Sequence, residues 1–251
     1  MPPEPPIYPY LRLPFMLLIG IMPSPGTAPP KIALNREIVV EFLVNEAVED
    51  YAFLSTTPEP ELLQELIDET NKNMGWPQKL SGRLVGRTLK FLAQLHQPKT
   101  VLEIGMFTGY SALSIAEGMP ADGRIICCET NPRAIDFAKT FFARSPYGNK
   151  IEVFFGRALD TLQTLDLELD FTFIDADKRN YLQYYEQVLE KTRPGGLIVL
   201  DNMLWSGKVL QPESDIDDVL VELNHRIATD TRVENIFLTV RDGINVVRKL
   251  P

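Results

Sequence analysis

From Thr100 onward the chain alternates short apolar runs with helix-length amphipathic segments, and that rhythm leaves few folds open. Runs rich in β-branched and aromatic residues, too short for helices, fall at 101–104, 125–128, 151–155, 171–174 and 197–200. Segments of helical length lie between them at 111–119, 132–144, 158–165 and 179–193, the last closed by Pro194-Gly195-Gly196. A strand-helix-strand crossover makes its two strands parallel, so the repeated unit predicts an α/β, doubly wound sheet covered on both faces. The end breaks the pattern: a helix at 215–229 precedes strands at 233–240 and 244–249, joined by Arg241-Asp242-Gly243. An antiparallel hairpin is therefore expected to close a mostly parallel, seven-stranded sheet. Upstream, apolar spacing predicts helices at 35–52, 59–73 and 81–96, placed to cover one edge of that sheet.

Two of the runs stop abruptly on carboxylates: Phe171-Thr-Phe-Ile-Asp175-Ala-Asp177-Lys178, and Leu197-Ile-Val-Leu-Asp201-Asn202. Parallel strands share their carboxyl edge, so Asp175, Asp201 and Asn202 converge there with Lys178 one turn beyond. Each segment alone also suits a helix cap or a turn pair. Together they make an oxygen-rich cluster suited to a hard divalent cation, Mg²⁺ first, with Mn²⁺ or Ca²⁺ as alternatives. The 101–104 run leads into Glu103-Ile-Gly105-Met-Phe-Thr-Gly109-Tyr-Ser111, whose glycines let backbone approach a ligand, and the next run ends on Glu129. An acidic residue there accepts hydrogen bonds from ribose hydroxyls. A pyrophosphate fingerprint needs tight G-x-G-x-x-G spacing, whereas Gly105 and Gly109 are four apart. The pattern favours S-adenosylmethionine over NAD; its bland reading is a simple tight turn.

A chain of 251 residues with 45% hydrophobic content suits one domain, expected at 35–251 with its helices at 35–98 and its sheet core at 99–251. The net charge of -9 is spread along the chain, which argues against nucleic acid as a partner, since such binding draws on clustered Lys and Arg. Cys127 and Cys128 are adjacent on one strand, point to opposite faces and are expected to be buried reduced thiols, which fits a cytoplasmic compartment. His96 and His225 read as ordinary helix-surface residues. Residues 1–34 read as a Pro-rich, disordered tail, with Met22 a second candidate start. Its apolar stretch at 11–21 is too short to span a bilayer, which takes roughly twenty residues, and it lacks the basic cluster of a signal peptide.

The segments E-I-G-M-F-T-G-Y-S, F-I-D-A-D-K-R-N-Y, P-G-G-L-I-V-L-D-N-M-L-W-S-G-K-V and R-D-G-I-N-V-V-R-K resemble the cation-dependent O-methyltransferases, the group holding caffeoyl-CoA and catechol O-methyltransferases. The resemblance runs from about Trp76 to Leu250. It implies a class I, Rossmann-like methyltransferase and a homodimer. It assigns the metal to Asp175, Asp201 and Asn202, and the general base to Lys178. It assigns cofactor contacts to Ser81, Glu103, Gly105, Ser111, Glu129, Ala158 and Asp175, with Trp205 and Ser206 at the substrate. Three positions depart from the family pattern: Arg157, Ser206, and Arg241, where glycine is usual. They leave the acceptor open between a small free catechol or other phenolic diol and a caffeoyl-CoA-type ester. The acidic stretch at 211–218 weighs against a phosphorylated acceptor. A non-catalytic binding protein is the reading from another class, against which the intact Asp175, Lys178, Asp201 and Asn202 speak.

Overall fold

The computed structural model describes residues 45–74 and 79–251. The expected tail at 1–34 and the first part of the helix expected at 35–52 lie outside the described residues. Three helices lead in: α1 (Glu46–Ser55), α2 (Glu61–Asn73) and α3 (Gly82–His96). There follow β1 (Thr100–Ile104), α4 (Tyr110–Gly118), β2 (Arg124–Glu129), α5 (Pro132–Phe142), β3 (Ile151–Phe155), α6 (Ala158–Thr164) and β4 (Leu169–Ile174). The chain closes with α7 (Tyr181–Lys191), β5 (Thr192–Leu200), α8 (Asp215–Thr229), β6 (Val233–Leu238) and β7 (Ile244–Lys249).

The seven strands form one sheet in the order β3-β2-β1-β4-β5-β7-β6. Its first five strands pair in parallel, and β7 joins β5 and β6 antiparallel, as the broken rhythm predicts. Alternation along each strand divides two cores. Val101, Ile125, Cys127, Phe171 and Phe173 pack under α2 to α5, while Leu102, Ile104, Ile126, Cys128 and Ile174 pack under α6 to α8. Both cysteines are free and buried, one on each face. Each large apolar side chain so enclosed contributes roughly 1.5–3 kcal/mol relative to exposure, and Phe171 and Phe173 are both 0% exposed.

Two expectations need correction. The turn expected at Pro194-Gly195-Gly196 lies inside β5, which begins at Thr192: Thr192 pairs with Leu169, the register slips, and pairing resumes at Phe171 with Leu197. Gly195, at φ 80°, supplies the left-handed residue that this bulge requires. His96 is not an ordinary surface residue either. It is half-buried, and its Nε2 lies 3.0 Å from the Asp170 carbonyl oxygen, tying α3 to β4.

After β1 the chain winds outward through β2 and β3, then crosses back to β4 on the other side of β1. At such a switch point the two neighbouring connections leave in opposite directions and open a crevice at the carboxyl edge.

Candidate active site

The ladder of backbone hydrogen bonds runs past the strand ends and lines up the residues that follow. Gly105 N–H donates to the Cys128 carbonyl (3.1 Å), Asp175 N–H to that of Ile104 (2.9 Å), and Asp201 N–H to that of Ile174 (3.1 Å). Glu129, Gly105, Asp175 and Asp201 thus stand side by side at a strand spacing of about 4.8 Å. They line a cavity of about 1310 Å³. Gly105 has φ 91°, and a Cβ there would collide with the Asp175 carbonyl, so the glycine loop and the first carboxylate strand meet with no side chain between them.

On the β4–β5 side, Lys178 is only 8% exposed although it sits on a short 3-10 turn (Lys178–Asn180). Its Nζ donates to Asp175 Oδ1 at 3.1 Å, to Asn202 Oδ1 at 2.8 Å and to the Tyr181 hydroxyl. Asp201 is 3% exposed and accepts the backbone N–H of Asn202 at 2.8 Å. Burial first and the neighbouring Asp175 charge second push its carboxyl well above the usual range. The resemblance therefore named residues that the fold does bring together. The ion pair of Lys178 is with Asp175 rather than with its neighbour Asp177. Asp177 instead accepts the Tyr184 hydroxyl at 2.6 Å and the Asn180 amide.

The loop after β5 is held in an unusual backbone shape: Asn202, Trp205 and Ser206 have φ of 58°, 50° and 53°. Left-handed non-glycine residues cost of order 1 kcal/mol each and persist only where surroundings fix them. The fixing element is the β6–β7 turn. Leu204 N–H donates to the Asp242 carbonyl (2.8 Å), Met203 N–H to that of Gly243 (3.0 Å), and Ser206 N–H to Asp242 Oδ1 (2.6 Å). The amide oxygen of Asn202 is turned toward Lys178, and the Asp242 carboxylate lies near the same side chain. Trp205 is half-buried along the cavity wall, its indole N–H donating to Asp217 Oδ1 at 2.9 Å, and the exposed Ser206 lines the same wall.

On the β1–β2 side, Glu129 lines the cavity and accepts backbone N–H groups from Phe107 (2.7 Å), Thr130 (2.8 Å) and Asn131 (2.9 Å). Ser81, Ser111 and Ala158 line the cavity too, all buried. Glu103 does not. It lies beneath the floor at 0% exposure, accepts the Cys127 thiol (3.1 Å) with Ser111 close by, and burial pushes its carboxyl up to about 8. One of its oxygens, Oε1, is buried without a partner. Sequence reasoning missed Tyr181 and Asp242 as site residues. The first was legible three positions after Lys178, a spacing that stacks side chains on one helical face. The second lies in a turn whose partner is forty residues away and left no local signal.

The oxygens of Asp175, Asp201 and Asn202 fit a hard cation, because two carboxylates and an amide oxygen crowd a buried volume that Lys178 Nζ now shares. Among the described residues no group of three or more His, Cys, Asp or Glu could hold a metal, so an ion here would rely on the Asn202 amide as its third protein ligand.

A model of the O-methyltransferase family matches residues 53–250. The chain belongs to that family. The chain is 37% identical over 206 residues to caffeoyl-CoA O-methyltransferase 2 of Zea mays, covering 76% of this chain and 78% of that one. Among solved structures it is similar to the Bacillus cereus O-methyltransferase in complex with SAH, with a TM-score of 0.74, 30% identity, and coverage of 81% and 97%. It is also similar to the Streptomyces achromogenes O-methyltransferase TomG in complex with SAM, with a TM-score of 0.74, 28% identity, and coverage of 82% and 96%. The resemblance read from the motifs and the doubly wound fold are both borne out. The class of reaction is S-adenosylmethionine-dependent O-methyl transfer. Among the described residues, no helix is long and apolar enough to cross a membrane.

Proposed function

We propose that this O-methyltransferase is cation-dependent and methylates one hydroxyl of a catechol-type vicinal diol. The observation that carries the reading is the Lys178 amine, buried among Asp175, Asn202 and Tyr181 beside Asp201. An isolated structural lysine has no need of a carboxylate, an amide oxygen and a buried phenol together. Asp175, Asp201 and Asn202 would hold Mg²⁺, or Mn²⁺ or Ca²⁺; when bound, such an ion lowers the proton affinity of the diol and fixes its orientation.

Glu129 accepts the ribose hydroxyls of S-adenosylmethionine, and Gly105 lets the backbone close on the methionine end near Asp175. Ser81, Ser111 and Ala158 complete the cofactor wall, and Glu103 acts from beneath it through Ser111. Lys178 Nζ takes the proton from the acceptor hydroxyl, whose own pKa is about 10 as in tyrosine. Lys178 does this as the neutral amine, and the ammonium so formed is neutralised by Asp175, its ion-pair partner in this structure. A C–O bond forms as the methyl C–S bond breaks, in line, and the sulfonium charge is lost. Trp205 and Ser206 flank the ring.

A caffeoyl-CoA-type acceptor is the second reading, favoured by the maize relative. The exposed Glu213, Asp215 and Asp218 weigh against its phosphates. The homodimer expected from the resemblance is supported by the exposed apolar residues Tyr51 (74%), Phe91 (64%) and Leu95 (77%) on α1 and α3; light scattering tests it. Labelled S-adenosylmethionine with a panel of catechols, with and without EDTA, tests the main reading. Transfer to a catechol, lost with EDTA and restored by Mg²⁺, is expected; transfer indifferent to EDTA, or to no catechol, overturns it.

A further inference from the structure

Arg241 occupies a costly position. It lies in the turn between β6 and β7 with φ 50°, a left-handed conformation that glycine adopts freely and arginine does not. The turn itself does not require the side chain: Gly243 N–H closes it on the Val240 carbonyl at 3.0 Å through backbone alone. Instead the side chain reaches into the cavity beside Ser81, Trp205 and Asp242. Its Nη1 donates to the Ser81 carbonyl at 3.1 Å, and it lies so close over Gly82 that a Cβ there would strike the guanidinium. The turn that carries it packs on the loop after β5, where Asp242 accepts the Leu204 N–H through its carbonyl and the Ser206 N–H through Oδ1.

Its charged partner is a weak one. Glu49 Oε1 on α1 stands 3.6 Å from Nε, and the two side chains are 37% and 41% exposed. Pairs of this kind contribute about 0–1 kcal/mol, so the guanidinium can exchange Glu49 for a better anion. A desolvated carboxylate held in the planar fork of an arginine is such an anion. Were the diol held where Asp175, Asp201 and Asn202 would hold a cation, a ring substituent directed toward the β6–β7 turn would be the group Arg241 can meet.

We infer that Arg241 is a specificity residue and that the acceptor is a catechol bearing a carboxylate on its ring substituent. This rests on the diol reading above. The test uses two acids, protocatechuate and caffeate, with their neutral methyl esters, on the wild type, Arg241→Gln and Arg241→Lys. The wild type is expected to prefer at least one acid over its ester in kcat/KM. Arg241→Gln should lower that acid-to-ester ratio about ten- to hundredfold, chiefly through KM, which is the range of one charge-assisted hydrogen-bonded contact. Arg241→Lys should restore part of it. A ratio that does not move, or a wild type that favours the esters, overturns the inference and leaves Arg241 as a latch on Ser81. Should the glutamine variant fold poorly, Arg241→Gly removes the left-handed strain and serves in its place. Calorimetric binding of each acid to wild type and variant separates the two readings: with no methylation of any diol the reaction proposal fails, while tighter binding of an acid to the wild type still supports Arg241 and equal binding refutes it.

Discussion

At the amino edge of the sheet, Asp170 accepts the backbone N–H groups of Lys99 and Thr100, both at 2.8 Å, and the Arg193 guanidinium. At the carboxyl edge, just past the end of the neighbouring β5, Asp201 has one backbone donor and another carboxylate for company. Burial works to raise both carboxyls. For Asp170 the Arg193 and backbone hydrogen bonds overcome it and hold the group below the usual range, whereas for Asp201 nothing does and the group stays high. The same residue type is a finished structural pin in one place and a standing demand for positive charge in the other. Saturation by donors, rather than burial or charge alone, separates the architectural aspartate from the one proposed as a cation ligand.

That contrast can be broken from either side. Asp201→Asn should abolish cation binding in a calorimetric titration and lower methyl transfer about 10³-fold or more, the scale of a lost metal contribution of several kcal/mol. It should leave the metal-free protein at least as stable in thermal melting, because a buried carboxylate with a like neighbour costs stability. A fall in Tm of several degrees would mean that Asp201 is a pin after all. Lys178→Met should lower kcat about 10²-fold or more, with S-adenosylmethionine affinity by calorimetry changed less than about threefold. Asp242→Ala should weaken cation affinity about tenfold, since it frees the Asn202 amide to rotate, as loss of an outer partner does at other metal sites.

Asp170→Ala should do the reverse of Asp201→Asn. It leaves two backbone donors and a guanidinium unpaired, so chemical denaturation should show a loss of about 2–3 kcal/mol, while turnover at moderate temperature changes less than about twofold. The pH dependence follows from the sign of the shift. Because the folded group lies below its unfolded value, its stabilisation is present above the unfolded pKa of about 3.9 and is lost as the pH falls through the folded value. The gap between wild type and Asp170→Ala should therefore narrow below about pH 4.

The contrast was only half visible before the fold. Asp175, Asp201 and Asn202 were legible because each ends an apolar run, and parallel strands leave their ends on one edge whatever the intervening helices do. Asp170 gave no such signal: its donors come from residues 99, 100 and 193, and a single sequence does not say which distant backbone meets it. The same reason hid the tie of His96 to the Asp170 carbonyl, and the bulge that extends β5 back to Thr192. The resemblance gives Glu103 a cofactor contact, but period-two alternation alone does not say how deep a strand lies below the cavity floor. Arg241 was visible as a departure from pattern, and only the turn geometry gives the departure a direction.

Gly105 and the Asp175 carbonyl touch across adjacent strands with nothing between them. On the proposed assignment, the backbones that carry the cofactor loop and the first cation ligand are therefore set apart by the pitch of the β-ladder, about 4.8 Å from strand to strand. In that reading, residues around Trp205 and Arg241 can change to admit other acceptors while the spacing of the two backbones stays fixed.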